Sequence, residues 1–315
     1  MFNKFFVSKN VLIVGKSLHT YTKLVEDIIS KSSYNLLDVV DVDECKNISI
    51  EELKRKNIKK IILALDERRG NFPTRFLLDV KLQGIDIVDF NDVYEEVTGK
   101  IAIDRIYPSN IIFSKGFKTT ILKSMLKRVF DIFLSIVVLI VFFPICLFTA
   151  ILIKIDSKGS VFYTQKRMGK AGIEFDIFKF RSMRIYSETE SGPIWAQKND
   201  PRITKVGKIM RKFRIDEIPQ VINVLKGDMS FVGPRPERKF FVEQLKDQIP
   251  YYIERLIVKP GITGWATVKS GYCYTVDNNI EKIQYDLYYI KHLSILFDIK
   301  ILFYTIKVIL FGEGM

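Results

Sequence analysis

The chain has 315 residues, 48% hydrophobic and 27% charged, with 49 Lys/Arg against 36 Asp/Glu and a formal net charge of +13. This composition is globular and excludes wholesale disorder. Three scattered cysteines (Cys45, Cys146, Cys273) exclude a disulfide framework and a CxxC zinc site, and two histidines (His19, His292) exclude a His-rich metal cluster, so a reducing, cytoplasmic setting fits.

The positive charge is lopsided. Residues 1–115 hold 18 Lys/Arg and 17 Asp/Glu, so nearly all the excess lies beyond them, where it would attract lipid headgroups, nucleotide phosphates or nucleic acid. In residues 1–106, "NVLIVGK" (10–16), "NLLDVVDVD" (35–43), "KKIILAL" (59–65) and "GIDIVDF" (84–90) read as strands. Helices are expected at "YTKLVEDIIS" and near 50–57 and 73–82. That alternation predicts an α/β, Rossmann-like domain with a parallel sheet. Gly15 is followed by Lys16, Ser17 and Leu18 rather than GxGxxG, so a regulatory or docking role is expected over dinucleotide binding. Residues 107–122 read as a linker.

"IFLSIVVLIVFFPICLFTAILI" (132–153) then runs without a charge for a length that spans a bilayer. Both flanks are basic, "KSMLKR" before and Lys154 and Lys158 after, so charge sets no orientation. Pro144 near the centre predicts a kink. Composition allows two arrangements, a kinked span or a re-entrant hairpin that leaves on the face it entered. A segment bordered by lipid in this way also argues against nucleic acid as the partner of the basic half.

"SVFYTQKR" and "IEFDIFKFRSM" read as a hairpin turning at Gly169 and Gly172, with Lys179 and Arg181 on one strand face. In "RIDEIPQVINVLKGD", Asp216 is expected to cap a helix that Gly227 ends, with Ile218, Val221, Ile222 and Leu225 as its apolar stripe. Asp216 and Glu217 sit among Lys205, Lys208, Arg211, Lys212 and Arg214. A helix N-terminus with arginines suits a phosphate, and a carboxylate there can ligate Mg²⁺ or attack phosphorus. "SFVGPRPE" (230–237) fixes Arg235 between prolines, which suits bidentate phosphate recognition. "KPGITGWATV" (259–268) adds a Gly/Pro loop beside Trp265. The aromatic 285–311 segment carries Lys291, Asp298, Lys300 and Lys307, which predicts interfacial helices over a second span, with a buried core helix as the plainer reading.

"KRVFDIFLSIVVLIVFFPI", "QKRMGKAGIEFDIFKFRSM", "DPRITKVGKIMRKFRIDEIPQVINVLKGDMSFVGPRPE" and "KPGITGWATV" together resemble the bacterial sugar transferases, the monotopic polyprenyl-phosphate phosphoglycosyl transferases. The likeness covers about 123–312. "ALDERRGNFP" and "NDVYEEVTGKIAIDRIYPSNIIFSKGF" resemble the exopolysaccharide branch of that family, whose longer members place transmembrane helices ahead of the Rossmann-like domain.

The resemblance implies an α+β, membrane-associated catalytic domain over 123–315 with a re-entrant helix at about 127–154 kinked at Pro144. It implies transfer of sugar-1-phosphate from a UDP-sugar to undecaprenyl phosphate, releasing UMP, by a ping-pong route. Carried over, Asp216 is the nucleophile and a Mg²⁺ ligand, Glu217 its partner, and Arg211 and Arg235 bind phosphate. Lys179 and Arg181 are further candidates for phosphate. Two departures stand out. Phe143 precedes the proline where small members often have Ser, and "TVKSG" (267–271) replaces a Gln followed by Asn-Gly-Arg, leaving Lys269 as substitute for a phosphate-binding Arg. Expected partners are a UDP-sugar, undecaprenyl phosphate, inner-membrane lipids at the cytoplasmic face and downstream glycosyltransferases, with a homodimer left open. The rival expectation is a membrane-anchored, nucleotide-sensing scaffold for polysaccharide assembly.

Overall fold

Runs of branched aliphatic residues generate the first of two compact units, Met1–Pro108 and Ser109–Met315. The computed structural model describes residues 9–15, 22–65, 72–103, 114, 116–118, 120–184, 202–270 and 276–311. The architecture is mixed α/β, with a parallel sheet in the first unit and one long apolar helix in the second.

In the first unit, β1 (Lys9–Gly15), β2 (Tyr34–Val40), β3 (Ile58–Ala64) and β4 (Asp86–Asp89) form a parallel sheet in the order β2-β1-β3-β4. Successive β1 residues point to opposite faces. Val11 and Ile13 join a core with Ile28, Phe90 and Tyr94, while Leu12 and Val14 join another with Leu53, Ile61 and Val80. A strand covered on both faces reads as a continuous apolar run, which is why "VLIV" shows no alternation.

Helices α1 (Thr22–Lys31), α2 (Val42–Cys45), α3 (Ile50–Arg55), α4 (Thr74–Leu82) and α5 (Phe90–Thr98) supply the covering residues. The second expected strand ends early. Asp41 accepts from the Asp43 amide and starts α2, so 41–43 leave the sheet. Helix α5 was not anticipated: Asp89 caps it through the Asn91 amide, and Gly99, at φ 67°, ends it. Much of the expected linker, and the 185–201 stretch, lie outside the described residues.

The second unit begins with α6 (Ile121–Asp156), 36 residues capped by Thr120 and continuous through Pro144. Among the described residues it is the one helix long and apolar enough to cross a membrane. Its burial pattern is informative. Asp131, Ser135, Thr149 and Ile153 are buried, whereas 139–145 are all exposed. Phe142 and Ile145 share the face of those four by helical period, yet both are exposed. Both legs therefore seat on protein while the middle does not. On the first leg, Arg128 donates to the carbonyls of Val224 and Leu225, and Asp131 accepts from Ser230 Oγ and the Phe231 amide. On the second leg, Ile153 packs with Phe180 and Met210, and Asp156 accepts from the Val206 amide.

Next come the antiparallel hairpin β5 (Phe162–Met168) and β6 (Glu174–Phe180), α7 (Lys205–Lys212), a 3₁₀ turn (Ile215–Gln220) and α8 (Val221–Lys226). The short strands β7 (Ser230–Val232) and β8 (Gly261–Thr263) pair in parallel, with α9 (Lys239–Leu245) between them. Glycine is required where their ends meet. A Cβ on Gly261 would lie 2.1 Å from the Gly233 nitrogen, and one on Gly264 2.2 Å from the Gly233 oxygen.

Helices α10 (Trp265–Lys269), α11 (Val276–Lys291) and α12 (Ile295–Phe311) complete the unit. Helix α11 is a core helix, with Ile283, Leu287, Tyr289 and Ile290 buried, so the plainer of the two expectations describes that part of 285–311. Helix α12 exposes Leu296, Phe303 and Ile306 but turns Asp298 inward to Lys127 and Tyr289.

Candidate active site

The site is assembled where β6, the 3₁₀ turn and the Pro-bounded loop meet. Asn223, fully buried on α8, accepts from the Phe178 amide and donates to the Asp176 carbonyl. Those two bonds fix β6 against the segment carrying both carboxylates, and Lys179, the next strand residue, reaches Glu217 at 3.1 Å.

The capping expectation for Asp216 is corrected. Residues 215–220 form a 3₁₀ turn whose N-cap is Arg214, and the α-helix after it has Gln220 as its N-cap, so Asp216 lies inside the turn and caps neither. The cause is backbone geometry: Arg214 adopts φ 54°, ψ 25°, reversing the chain after α7, so the carboxylates arise inside a tight turn. Pro219, lacking an N–H, sits in that turn, and the α-helix proper starts at Val221.

The two adjacent acids have different surroundings. Glu217 is contacted by Arg235 at 2.6 Å, Lys179 at 3.1 Å and Arg214 at 3.5 Å. Burial alone would raise its pKa, but Arg235, Lys179 and Arg214 outweigh burial and hold it well below the usual carboxylate range. Asp216 is also buried, yet no hydrogen bond or ion pair joins its carboxylate to another described residue. Burial and the Glu217 charge push its pKa up, opposed by Lys179, Arg211 and Arg235. One acid is thus a locked anion and the other a carboxylate with open valence.

Arg235 is held from behind. Its neighbours Pro234 and Pro236 donate no backbone N–H, and the four carbonyls of 234–237 are taken by four separate donors. These are the Gly261 amide (2.9 Å), Arg255 Nη2 (2.9 Å), Arg167 Nη1 (3.4 Å) and the Met168 amide (2.8 Å). Arg255 is itself buried, 2.8 Å from Asp286 and 2.9 Å from the Tyr252 hydroxyl. Glu237 closes the cluster against Lys282 at 2.5 Å.

The sequence-derived residues divide accordingly. Asp216, Glu217, Lys179 and Arg235 converge, and Arg211, in the last turn of α7, is close enough to lower the Asp216 pKa. Arg181 is directed elsewhere: β6 ends at Phe180, and its guanidinium donates to the carbonyls of Ser157, Lys158 and Ile153, closing the C-terminus of α6. Lys269 lies over the rings of Trp265 (4.8 Å) and Tyr304 (5.5 Å). Sequence reasoning counted Arg214 only as part of the basic field around the two acids, gave no role to Asn223 within the same motif, and did not single out Arg255.

The donor set bears on the expected Mg²⁺. Among the described residues no group of three or more His, Cys, Asp or Glu could hold a metal. Mg²⁺ commonly binds through one or two carboxylates plus substrate phosphates and water. The unengaged Asp216 carboxylate fits that mode and not a resident, all-protein site.

A family model described as Bacterial sugar transferase matches residues 122–312. A UDP-N-acetylgalactosamine-undecaprenyl-phosphate N-acetylgalactosaminephosphotransferase of Aeromonas hydrophila is 43% identical over 240 residues, 76% of this chain and 56% of the relative. A UDP-glucose:undecaprenyl-phosphate glucose-1-phosphate transferase of Xanthomonas campestris pv. campestris is 33% identical over 309 residues, 93% of this chain and 60% of the relative. An exopolysaccharide production protein of Rhizobium leguminosarum bv. phaseoli is 42% identical over 191 residues, 58% of this chain and 94% of the relative. The chain spans about half the length of several curated relatives it matches, 56% and 39% of two of them.

Proposed function

The chain belongs to the bacterial sugar transferase family, and from that premise we propose that it transfers sugar-1-phosphate from a UDP-sugar to undecaprenyl phosphate. The observation carrying this reading is the contrast within Asp216–Glu217: a buried carboxylate without a hydrogen-bonding or ion-pairing partner among the described residues beside one pinned by three cations.

In the proposed route an Asp216 oxygen attacks the phosphorus bearing the sugar. The new O–P bond forms as the bridging O–P bond to UMP breaks, and UMP departs with that electron pair. An oxygen of undecaprenyl phosphate then attacks the same phosphorus, displacing the Asp216 carboxylate and giving undecaprenyl-diphospho-sugar. Lys179, Arg211 and Arg235 offset the repulsion between carboxylate and diphosphate. Arg235, fixed by its anchored backbone, orients the phosphates. Glu217, held as an anion by its cations, keeps those cations gathered beside Asp216. Asp216 and the donor phosphates would hold Mg²⁺, which supplies charge neutralisation at the diphosphate when bound.

The membrane reading rests on α6. Two seated legs with an exposed apolar middle support a hairpin dipping into one leaflet, bent near Pro144, with the catalytic residues at the cytoplasmic face of the inner membrane. The donors named for relatives, UDP-N-acetylgalactosamine and UDP-glucose, are the first to assay. UMP release dependent on undecaprenyl phosphate and Mg²⁺, and a sugar-phosphate adduct on Asp216 by mass spectrometry, are expected. A folded Asp216→Asn variant with full activity would sink the mechanism. The scaffold reading, which predicts binding without turnover, gives no role to a buried carboxylate without a partner among the described residues.

A further inference from the structure

We propose that Arg214 is a further phosphate-binding cation of this site, beside Lys179, Arg211 and Arg235, resting on Glu217 in the free protein and taking up the donor's diphosphate on binding. The inference rests on the transferase reading and adds a residue to it.

Three observations carry it. First, Glu217 is already satisfied without Arg214: Arg235 contacts it through both terminal nitrogens, at 2.6 and 3.5 Å, and Lys179 at 3.1 Å. Arg214, the third cation on this carboxylate, holds it only at 3.5 Å. Such a contact can be given up to an incoming anion while the other two keep Glu217 paired.

Second, access favours the cations over the acid. The side chains of Lys179, Arg214 and Arg235 keep 19%, 16% and 29% of their surface exposed, whereas Glu217 keeps 8%. An anion approaching from solvent therefore meets guanidinium and ammonium groups with the carboxylate beneath them.

Third, the backbone of Arg214 is left-handed, at φ 54° and ψ 25°. Residues other than glycine, and to a lesser degree Asn and Asp, pay a steric penalty there. Glycine would make the reversal between α7 and the 3₁₀ turn without that cost. Holding an arginine in that conformation aims its side chain back at Glu217, three residues on. Strain of this kind, kept beside a reactive carboxylate, points to function in the side chain.

The geometry gives an unusual test, because the disabling substitution should not harm the fold. The full chain in detergent would be compared as wild type, Arg214→Gly and Arg214→Lys. Three readouts are taken: thermal unfolding, UDP binding with Mg²⁺ by calorimetry, and UMP release with UDP-N-acetylgalactosamine or UDP-glucose. Arg214→Gly is expected to unfold at the same or a higher temperature while Kd for UDP and KM for the donor rise tenfold or more. Arg214→Lys should recover part of the affinity.

Kd and KM within twofold of wild type in Arg214→Gly would overturn the proposal, leaving Arg214 as a counter-ion to Glu217. A lowered unfolding temperature with unchanged UDP affinity would overturn it in favour of a structural brace. Wild type that binds UDP but never releases UMP defeats the transferase reading, and the binding comparison still decides Arg214. Wild type that neither binds nor turns over defeats both.

Discussion

The Asp286–Arg255 pair lets stability and site geometry be separated. Both side chains are about 2% exposed, and Arg255 also donates to the Arg235 carbonyl and the Tyr252 hydroxyl. Asp286→Asn keeps the shape but leaves the guanidinium buried without its nearest anion. Removing one partner of a buried pair costs about 3–5 kcal/mol. Tyr252 and the Coulombic reach of Glu237 remain, which places the expected loss near the lower end, about 3 kcal/mol. At roughly 2–4 °C per kcal/mol for a domain of this size, that is a fall of about 6–12 °C in Tm.

A second variant removes both charges. Replacing Arg255 by Met and Asp286 by Leu should regain most of the lost stability, since apolar replacement of a whole buried pair is often neutral or stabilising. It cannot restore the donor to the Arg235 carbonyl. UMP-release assays should therefore show KM for the UDP-sugar still raised about tenfold, equivalent to about 1.4 kcal/mol. Melting curves and donor titrations on the three proteins decide the matter. If the double variant regains both Tm and KM, Arg255 does not position Arg235 and the reasoning fails.

Other outcomes follow from the same geometry. Burial raises the Glu237 pKa, but Lys282, Arg255 and Arg167 outweigh it and bring the value to about 2. A depressed carboxylate contributes stability that is present above its unfolded pKa of about 4.3 and lost as pH falls through the folded value. Acid titration of thermal stability should thus include a Glu237 contribution lost between about pH 4.5 and 2, worth at most about 3 kcal/mol, by which the loss in Glu237→Gln is smaller. If both proteins lose stability identically over that window, the charge cluster is not the source. For topology, Met125→Cys and Ile155→Cys, both exposed near opposite ends of α6, should react with a membrane-impermeant thiol reagent from the same side in a background lacking native cysteines. Labelling from opposite sides would establish a full span and defeat the hairpin.

How far the sequence carried varies by element for physical reasons. The β1 and β3 strands were legible because burial on both faces demands unbroken apolar runs. Helix α5 was not, although Phe90, Val93, Tyr94 and Val97 carry helical spacing, because its first residue closes the strand pattern of "GIDIVDF". The convergence of Asp216, Glu217, Lys179 and Arg235 was anticipated from charge types and a resemblance. The reading of Asp216 as a cap failed on a dihedral: Arg214 is a poor choice for φ above zero, and nothing local announces it. Arg181 failed for a related reason, since same-face alternation holds only while the strand lasts, and β6 ends one residue earlier. Arg255 owes its role to contacts 20 residues away on one side and 31 on the other, beyond the range of any periodic signal.

The anchoring of the 234–237 carbonyls has a consequence for recognition. A loop whose acceptors are engaged by residues 167, 168, 255 and 261 has no private conformational freedom, so opening it means disturbing the hairpin and β8 as well. Diphosphate binding then need not spend affinity on ordering Arg235, because folding has already met that entropic cost. The amides of Met168 and Gly261 become natural reporters: their hydrogen exchange should track global unfolding of the unit, and differ little with and without UDP. On the proposed function, recognition would be docking onto a surface already formed, with adjustment confined to side chains on a backbone anchored by hydrogen bonds.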